Sequence, residues 1–149
     1  MLMSGKYFDE LIIGEESMSQ GRTVTETDVV MFCSLCGLQN PIFVDDEFSR
    51  HTNYGGRLVP GPLTLSYAIG LGDYLFNGTA VAVLSWNNVK FIKALKMGDT
   101  IRMKTIVTDK RDSSSQHDRG IVNLMQEVAN QHNEVVCSFD RSLIVLKRS

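Results

Sequence analysis

From residue 79 onward the chain consists of four long stretches rich in β-branched residues: TAVAVLSWNNVKFIKAL, DTIRMKTIVTDKR, RGIVNLMQEVANQ and EVVCSFDRSLIVLKR. Each alternates apolar with polar side chains. A period of two sends successive side chains to opposite faces, so these are strands with one face turned to a core. The breaks between them are short and polar: KMGD with its Gly-Asp turn, the run DSSSQHD, and His132-Asn133. Connections this short join antiparallel neighbours, because a parallel pair needs a crossover of about a dozen residues or more. The inner face of such a sheet needs an apolar cover. Just before the strands, LTLSYAIGLGDYLF (residues 63–76) is apolar almost all round, the pattern of a buried helix.

The first half reads as helices and irregular loops. In TETDVVMFCSLCG (residues 25–37), Thr25 is placed to cap a helix, acidic residues follow in the first turn, and Gly37 supplies the stop. Val29, Phe32, Cys33 and Cys36 fall at helical spacing on one apolar side. Asn40-Pro41 then opens a loop, since the residue before proline is pushed out of helical geometry. DDEFSR is a short acidic helical turn, and the glycine-rich NYGGRLVPGP (residues 53–62) leads into the long apolar helix. The expected class is α+β, an antiparallel β-sheet wrapped around a central helix.

Composition narrows the function. The chain has 149 residues, 43% of them hydrophobic, enough for one core, so a single domain over residues 1–149 is expected. Fifteen basic against seventeen acidic side chains leave a formal charge of −2, which provides no field for nucleic acid or an anionic membrane. No apolar stretch reaches the roughly 20 residues of a membrane span, and no leader pattern opens the chain, so a cytoplasmic location is expected. Three cysteines, an odd number, fit a reducing compartment without disulfides. The three histidines show no metal-site spacing, and no metal or cofactor is expected.

One stretch carries a sharper signal. Residues 32–49 read Phe32, Cys33-Ser34-Leu35-Cys36, Gly37, Leu38, Gln39, Asn40, Pro41, Ile42, Phe43, five further residues, and Ser49. This resembles the signature of the MaoC-like dehydratases, the family of the (R)-specific enoyl-CoA hydratases: an aromatic, small or apolar residues, Gly-Asp-x-Asn-Pro, an aliphatic residue, His, and Ala or Ser. GGRLVPGPLTLSYA resembles the family's glycine-rich loop entering its central helix, and WNNVKFIKALKMGDTIRMKTIV its second-strand pattern. The resemblance implies a hotdog fold, a homodimer or higher homo-oligomer, and an acyl-CoA or acyl-carrier thioester as ligand.

The same resemblance withdraws the family's reaction. Its Asp and His activate one water for addition across the double bond of an enoyl thioester, which needs a carboxylate and an imidazole within reach of that water. Leu38 stands at the Asp position and Phe43 at the His position, and neither side chain takes or gives a proton. Ordinary hydratase activity is therefore not expected. Asp45 and His51 are the nearest titratable groups that a relocated acid/base pair would use, although a solvated first helical turn accounts for such a run without a catalytic role. Asn40, Pro41 and Gly61 are the implied substrate-binding positions: Asn40 as a polar contact or a plain Asx turn, Gly61 through a backbone N–H at the helix start that polarises a thioester carbonyl. Pro60 and Pro62 flank Gly61 and restrict that turn. Two other functions remain open, an acyl-CoA thioesterase and a non-catalytic ligand-binding or heterodimer-partner subunit.

Among the remaining candidates, Cys33 and Cys36 read as core packing rather than a redox pair. His117 and His132 sit in polar turns. Lys90, Lys93, Lys96, Arg102 and Lys104 read either as a solvated strand face or as contacts to carrier phosphates. Trp86 and Tyr67 read as core or interface residues.

Overall fold

The computed structural model describes residues 5–148. The four strand stretches form β3 (Ala80–Phe91), β4 (Thr100–Asp112), β5 (Arg119–Ala129) and β6 (Val135–Leu146). Two further strands precede them, β1 (Glu16–Met18) and β2 (Arg22–Thr23), and both pair with β4. The sheet order is β1-β4-β5-β6-β3, with antiparallel pairing throughout. The first half thus contributes strands as well as helices. At three and two residues, β1 and β2 are too short to show a period, and pairing with β4 alone makes them strands.

Burial alternates strictly along β5, and along β6 after the consecutive buried pair Val136 and Cys137, as a sheet with one covered face requires. The cover is α4 (Gly61–Gly72), which buries Leu63, Thr64, Ala68, Leu71 and Gly72. Here the structure corrects the reading of an all-round buried helix. Pro62, Ser66 and Gly70, spaced four apart and so on one face, are exposed in the single chain.

α4 lies close enough to β4 and β5 that a Cβ on Gly72 would come 2.2 Å from Met103 Cε and 3.3 Å from Gln126 Nε2. One apolar cluster under α4 joins Val29, Leu63, Ala68, Met103, Val128 and Phe139. A second, at the other end of the sheet, joins Phe8, Phe76, Val107, Val122, Leu143 and Val145.

The sequence-expected helix is α1 (Glu26–Cys36). The Thr25 hydroxyl accepts from the Asp28 N–H at 3.2 Å while an Asp28 carboxylate oxygen accepts from the Thr25 N–H at 2.8 Å. Each bond satisfies a backbone donor that a helix start leaves unpaired. Gly37 ends the helix at φ +68, a left-handed conformation that costs glycine little. Val29 and Cys33 are buried, but Cys36 is exposed, which corrects its assignment to the core. The helix rotates it past the buried stripe, so only the first cysteine of the pair packs. No helix is long and apolar enough to cross a membrane among the described residues.

Candidate functional site

After Gly37 the chain forms two short helices, α2 (Pro41–Val44) and α3 (Asp46–Arg50). Asn40 caps the first: its Oδ1 accepts from the Ile42 N–H at 3.1 Å, with Pro41 in the first turn, where its missing N–H costs nothing. Asp45 caps the second, its Oδ1 accepting from the Phe48 N–H at 3.0 Å. Ser49 is fully buried, its hydroxyl donating to the Asp46 carbonyl at 3.2 Å. The loop before α4 is laced to these helices and to the β3–β4 connection. Leu58 N–H donates to the Ile42 carbonyl at 3.1 Å, and Val59 N–H to the Leu95 carbonyl at 2.9 Å. That lacing brings Phe43 beside the start of α4.

Two cavities meet at Phe43. One, of about 430 Å³, is lined by Phe43, Tyr54, Gly61, Pro62, Thr64, Phe91 and Lys93 among others. The other, of about 290 Å³, is lined by Val30, Cys33, Ser34, Leu38, Gln39, Phe43, Val44 and Arg57. The positions singled out in the sequence thus divide. Leu38, Phe43 and Gly61 line these cavities; Asn40 and Pro41 do not, and Asn40 spends its side-chain oxygen on its own helix.

Asp45 and His51 also lie outside both linings. Asp45 is committed to its cap. His51 is exposed, with Nδ1 2.7 Å from the Glu47 carbonyl oxygen and 4.0 Å from a Glu47 carboxylate oxygen. Neither lining contains a histidine or a carboxylate among the described residues.

At Gly61 the backbone N–H has no acceptor among the described residues, and no acidic residue sits in the first turn of α4. Pro62 contributes no N–H, so Gly61 presents a free donor at the positive end of the helix dipole. The Phe91 ring lies against it: a Cβ at this position would be 3.0 Å from two ring carbons. Lys93 pairs with Glu134, Lys104 with Glu16, and Lys96 Nζ donates to the Tyr54 carbonyl at 2.7 Å. His117 and His132 are exposed.

The MaoC-like domain pattern matches residues 10–129. The chain belongs to the MaoC-like domain family. It is 32% identical over 99 residues to Protein MaoC of Klebsiella aerogenes, a match covering 66% of this chain and 30% of that protein. It is 28% identical over 103 residues to an (R)-specific enoyl-CoA hydratase of Rhodospirillum rubrum, covering 68% of this chain and 69% of that one. Among solved structures, an Archaeoglobus protein described as a monoamine oxidase regulatory protein superposes with a TM-score of 0.89 at 31% identity, over 100% of this chain and 99% of the other. The MaoC-like sheet wrapped around α4 is the hotdog fold.

One polar cluster on this MaoC-like domain escaped the sequence reading. The Arg22 guanidinium lies 3.8 Å from the centre of the Tyr67 ring, and Arg22 Nη2 is 3.6 Å from Asp28 Oδ1. The Thr25 N–H holds the Asp28 carboxyl below the usual carboxylate range, with Tyr67, the Thr25 hydroxyl and Arg22 adding to the effect. A depressed folded value means that this stabilisation is fully present above the unfolded value, near 3.8, and is lost as pH falls through the folded one. Asp28→Asn should therefore unfold at lower urea than the wild type near neutrality. The two midpoints should converge as pH drops below about 4. A constant gap between the curves at every pH would assign the effect to packing instead.

Proposed function

We propose that this chain is a MaoC-like hotdog protein that binds an acyl or enoyl thioester, of coenzyme A or a carrier protein, in the two cavities around Phe43, without ordinary hydratase activity. The observation that carries this reading is the shared cavity. Leu38 and Phe43 line one space, as a pair serving one water would, yet both are apolar and no histidine or carboxylate lines it among the described residues. Two polar groups replaced together leave no buried partner unpaired. The free Gly61 N–H supports a thioester carbonyl as the group received in the adjoining cavity.

A relative named for enoyl-CoA hydration supports the ligand class. Lys93, at the cavity rim, supports a carrier phosphate nearby. Asp73, the carboxylate a thioesterase reading would use, caps the far end of α4 outside both cavities and gives that alternative no support. The test is calorimetric titration with butyryl-CoA and crotonyl-CoA alongside assays of hydration and thioester hydrolysis. Binding without turnover is the expected result. No binding would overturn the ligand class, and turnover above buffer the loss of reaction.

A homodimer is part of the proposal. Among the described residues β3 pairs with β6 on one side only, and it carries exposed Val81, Val83, Leu84, Trp86, Val89 and Phe91. A 12-residue edge strand with six exposed apolar side chains is a template for another strand, and an antiparallel copy of itself is self-complementary. Leu84→Lys should shift the sedimentation profile from dimer to monomer, because a charge on an edge strand opposes pairing. An unshifted dimer would place the interface elsewhere.

A further inference from the structure

Among the described residues Arg57 is the one cation lining the Leu38 cavity, and its setting is unusual for a surface loop. Its side chain is only 11% exposed. Nε donates to Asp46 Oδ1 at 2.6 Å and Nη2 donates to a Glu26 carboxylate oxygen, so α1 and α3 each hold one arm of the guanidinium. These two hydrogen bonds raise its pKa above the usual arginine value, Glu26 first and Asp46 next. The third nitrogen, Nη1, has no partner among the described residues. A planar fork fixed at two corners has its remaining N–H directions fixed as well.

The charges around this donor select what it receives. One guanidinium faces two carboxylates, so a ligand carboxylate would enter a net negative setting. A neutral oxygen accepts from Nη1 without that repulsion. In the rest of the lining, Leu38, Phe43, Val30 and Val44 offer apolar contact, and Ser34 and Gln39 are the uncharged polar side chains beside Arg57. The thioester carbonyl has its own donor, Gly61, in the neighbouring cavity on the other side of Phe43. We propose that Arg57 is a specificity-determining residue that donates to a neutral oxygen on the acyl chain beyond the thioester, so that the pocket prefers keto- or hydroxyl-bearing acyl groups over unsubstituted and carboxylate-bearing ones. This rests on the thioester reading above.

The test is calorimetric titration of the full chain with butyryl-CoA, acetoacetyl-CoA and succinyl-CoA. Acetoacetyl-CoA should bind the wild type about tenfold more tightly than butyryl-CoA, the effect of one charge-assisted hydrogen bond, and succinyl-CoA should bind more weakly than both. Arg57→Met should lose the preference, read as the ratio of acetoacetyl-CoA to butyryl-CoA affinity within that variant. Arg57→Lys, which keeps a charge but not the fork, should lose most of it. Glu26→Gln keeps an acceptor for Nη2 and removes one negative charge, so it should narrow the penalty on succinyl-CoA and leave the acetoacetyl preference in place. A purely structural Arg57 would move all three affinities together. Equal wild-type binding of butyryl- and acetoacetyl-CoA, or an undiminished preference in Arg57→Met, overturns the proposal and leaves the thioester reading standing. No binding of any of the three overturns both.

Discussion

Leu38→Asp combined with Phe43→His is expected to raise hydration of crotonyl-CoA about 10²- to 10⁴-fold above the wild-type chain, the range that a positioned acid/base group supplies. Both positions already line one cavity, so the expectation is that a carboxylate and an imidazole placed there reach the same water. Each alone should do little for the rate. Leu38 and Phe43 pack against the apolar cluster under α4, so a single polar replacement leaves an unpaired group there and costs about 1–3 kcal/mol. The double variant offers each new group a partner. The measurement is the change in enoyl absorbance with time, beside a urea titration of all three variants. A folded double variant that binds crotonyl-CoA but hydrates it no faster than the wild type would show that the cavity no longer directs these positions at one water.

The largest loss of stability is expected from Phe139→Ala, about 3–5 kcal/mol out of the roughly 5–15 kcal/mol that holds a domain of this kind together. Phe139 lies mid-way along β6, 1% exposed, and is among the largest fully buried side chains. It belongs to the cluster beneath α4, so the cavity left by its ring lies under the helix that presents Gly61. The urea midpoint should fall with the slope unchanged. Leu35→Ala provides the contrast. Leu35 is 85% exposed on α1 and its truncation should stay within about 0.5 kcal/mol. Similar losses at both positions would mean that α1 is covered in solution.

Most of the scaffold was legible in the sequence because its elements announce themselves locally. The alternation in β4, β5 and β6, the Thr25 cap and the Gly37 stop each depend on neighbours a few residues away. β1 and β2 were not legible, because strands of three and two residues exist only through pairing with β4. Burial was half legible. The composition of α4 marked it as central, yet the exposed face at Pro62, Ser66 and Gly70 depends on where the sheet ends. Cys36 was misplaced because helical spacing identifies a stripe without giving its width.

The site divided in the same way. Leu38 and Phe43 stood out because a motif with fixed spacing surrounds them, and sequence alone withdrew the acid/base pair. Asp45 and His51 were attractive only by proximity along the chain. In the fold Asp45 closes a helix cap and His51 faces solvent, so neither lines the cavities at Phe43. Arg57 went unremarked inside a glycine-rich loop, since its two carboxylates come from residues 26 and 46, far apart in sequence.

The four β-branched stretches and the apolar helix before them pointed, without any structure, to an α+β chain with an antiparallel sheet, because side-chain period and turn length are local physics. The motif around Asn40 sharpened that to a sheet wrapped around the helix. The tertiary structure alone decided which edge of that sheet stays open, which face of α4 stays bare, and which cation lines the cavity beside Leu38. Those outcomes depend on contacts between residues distant in the chain, and such contacts leave no period in the sequence.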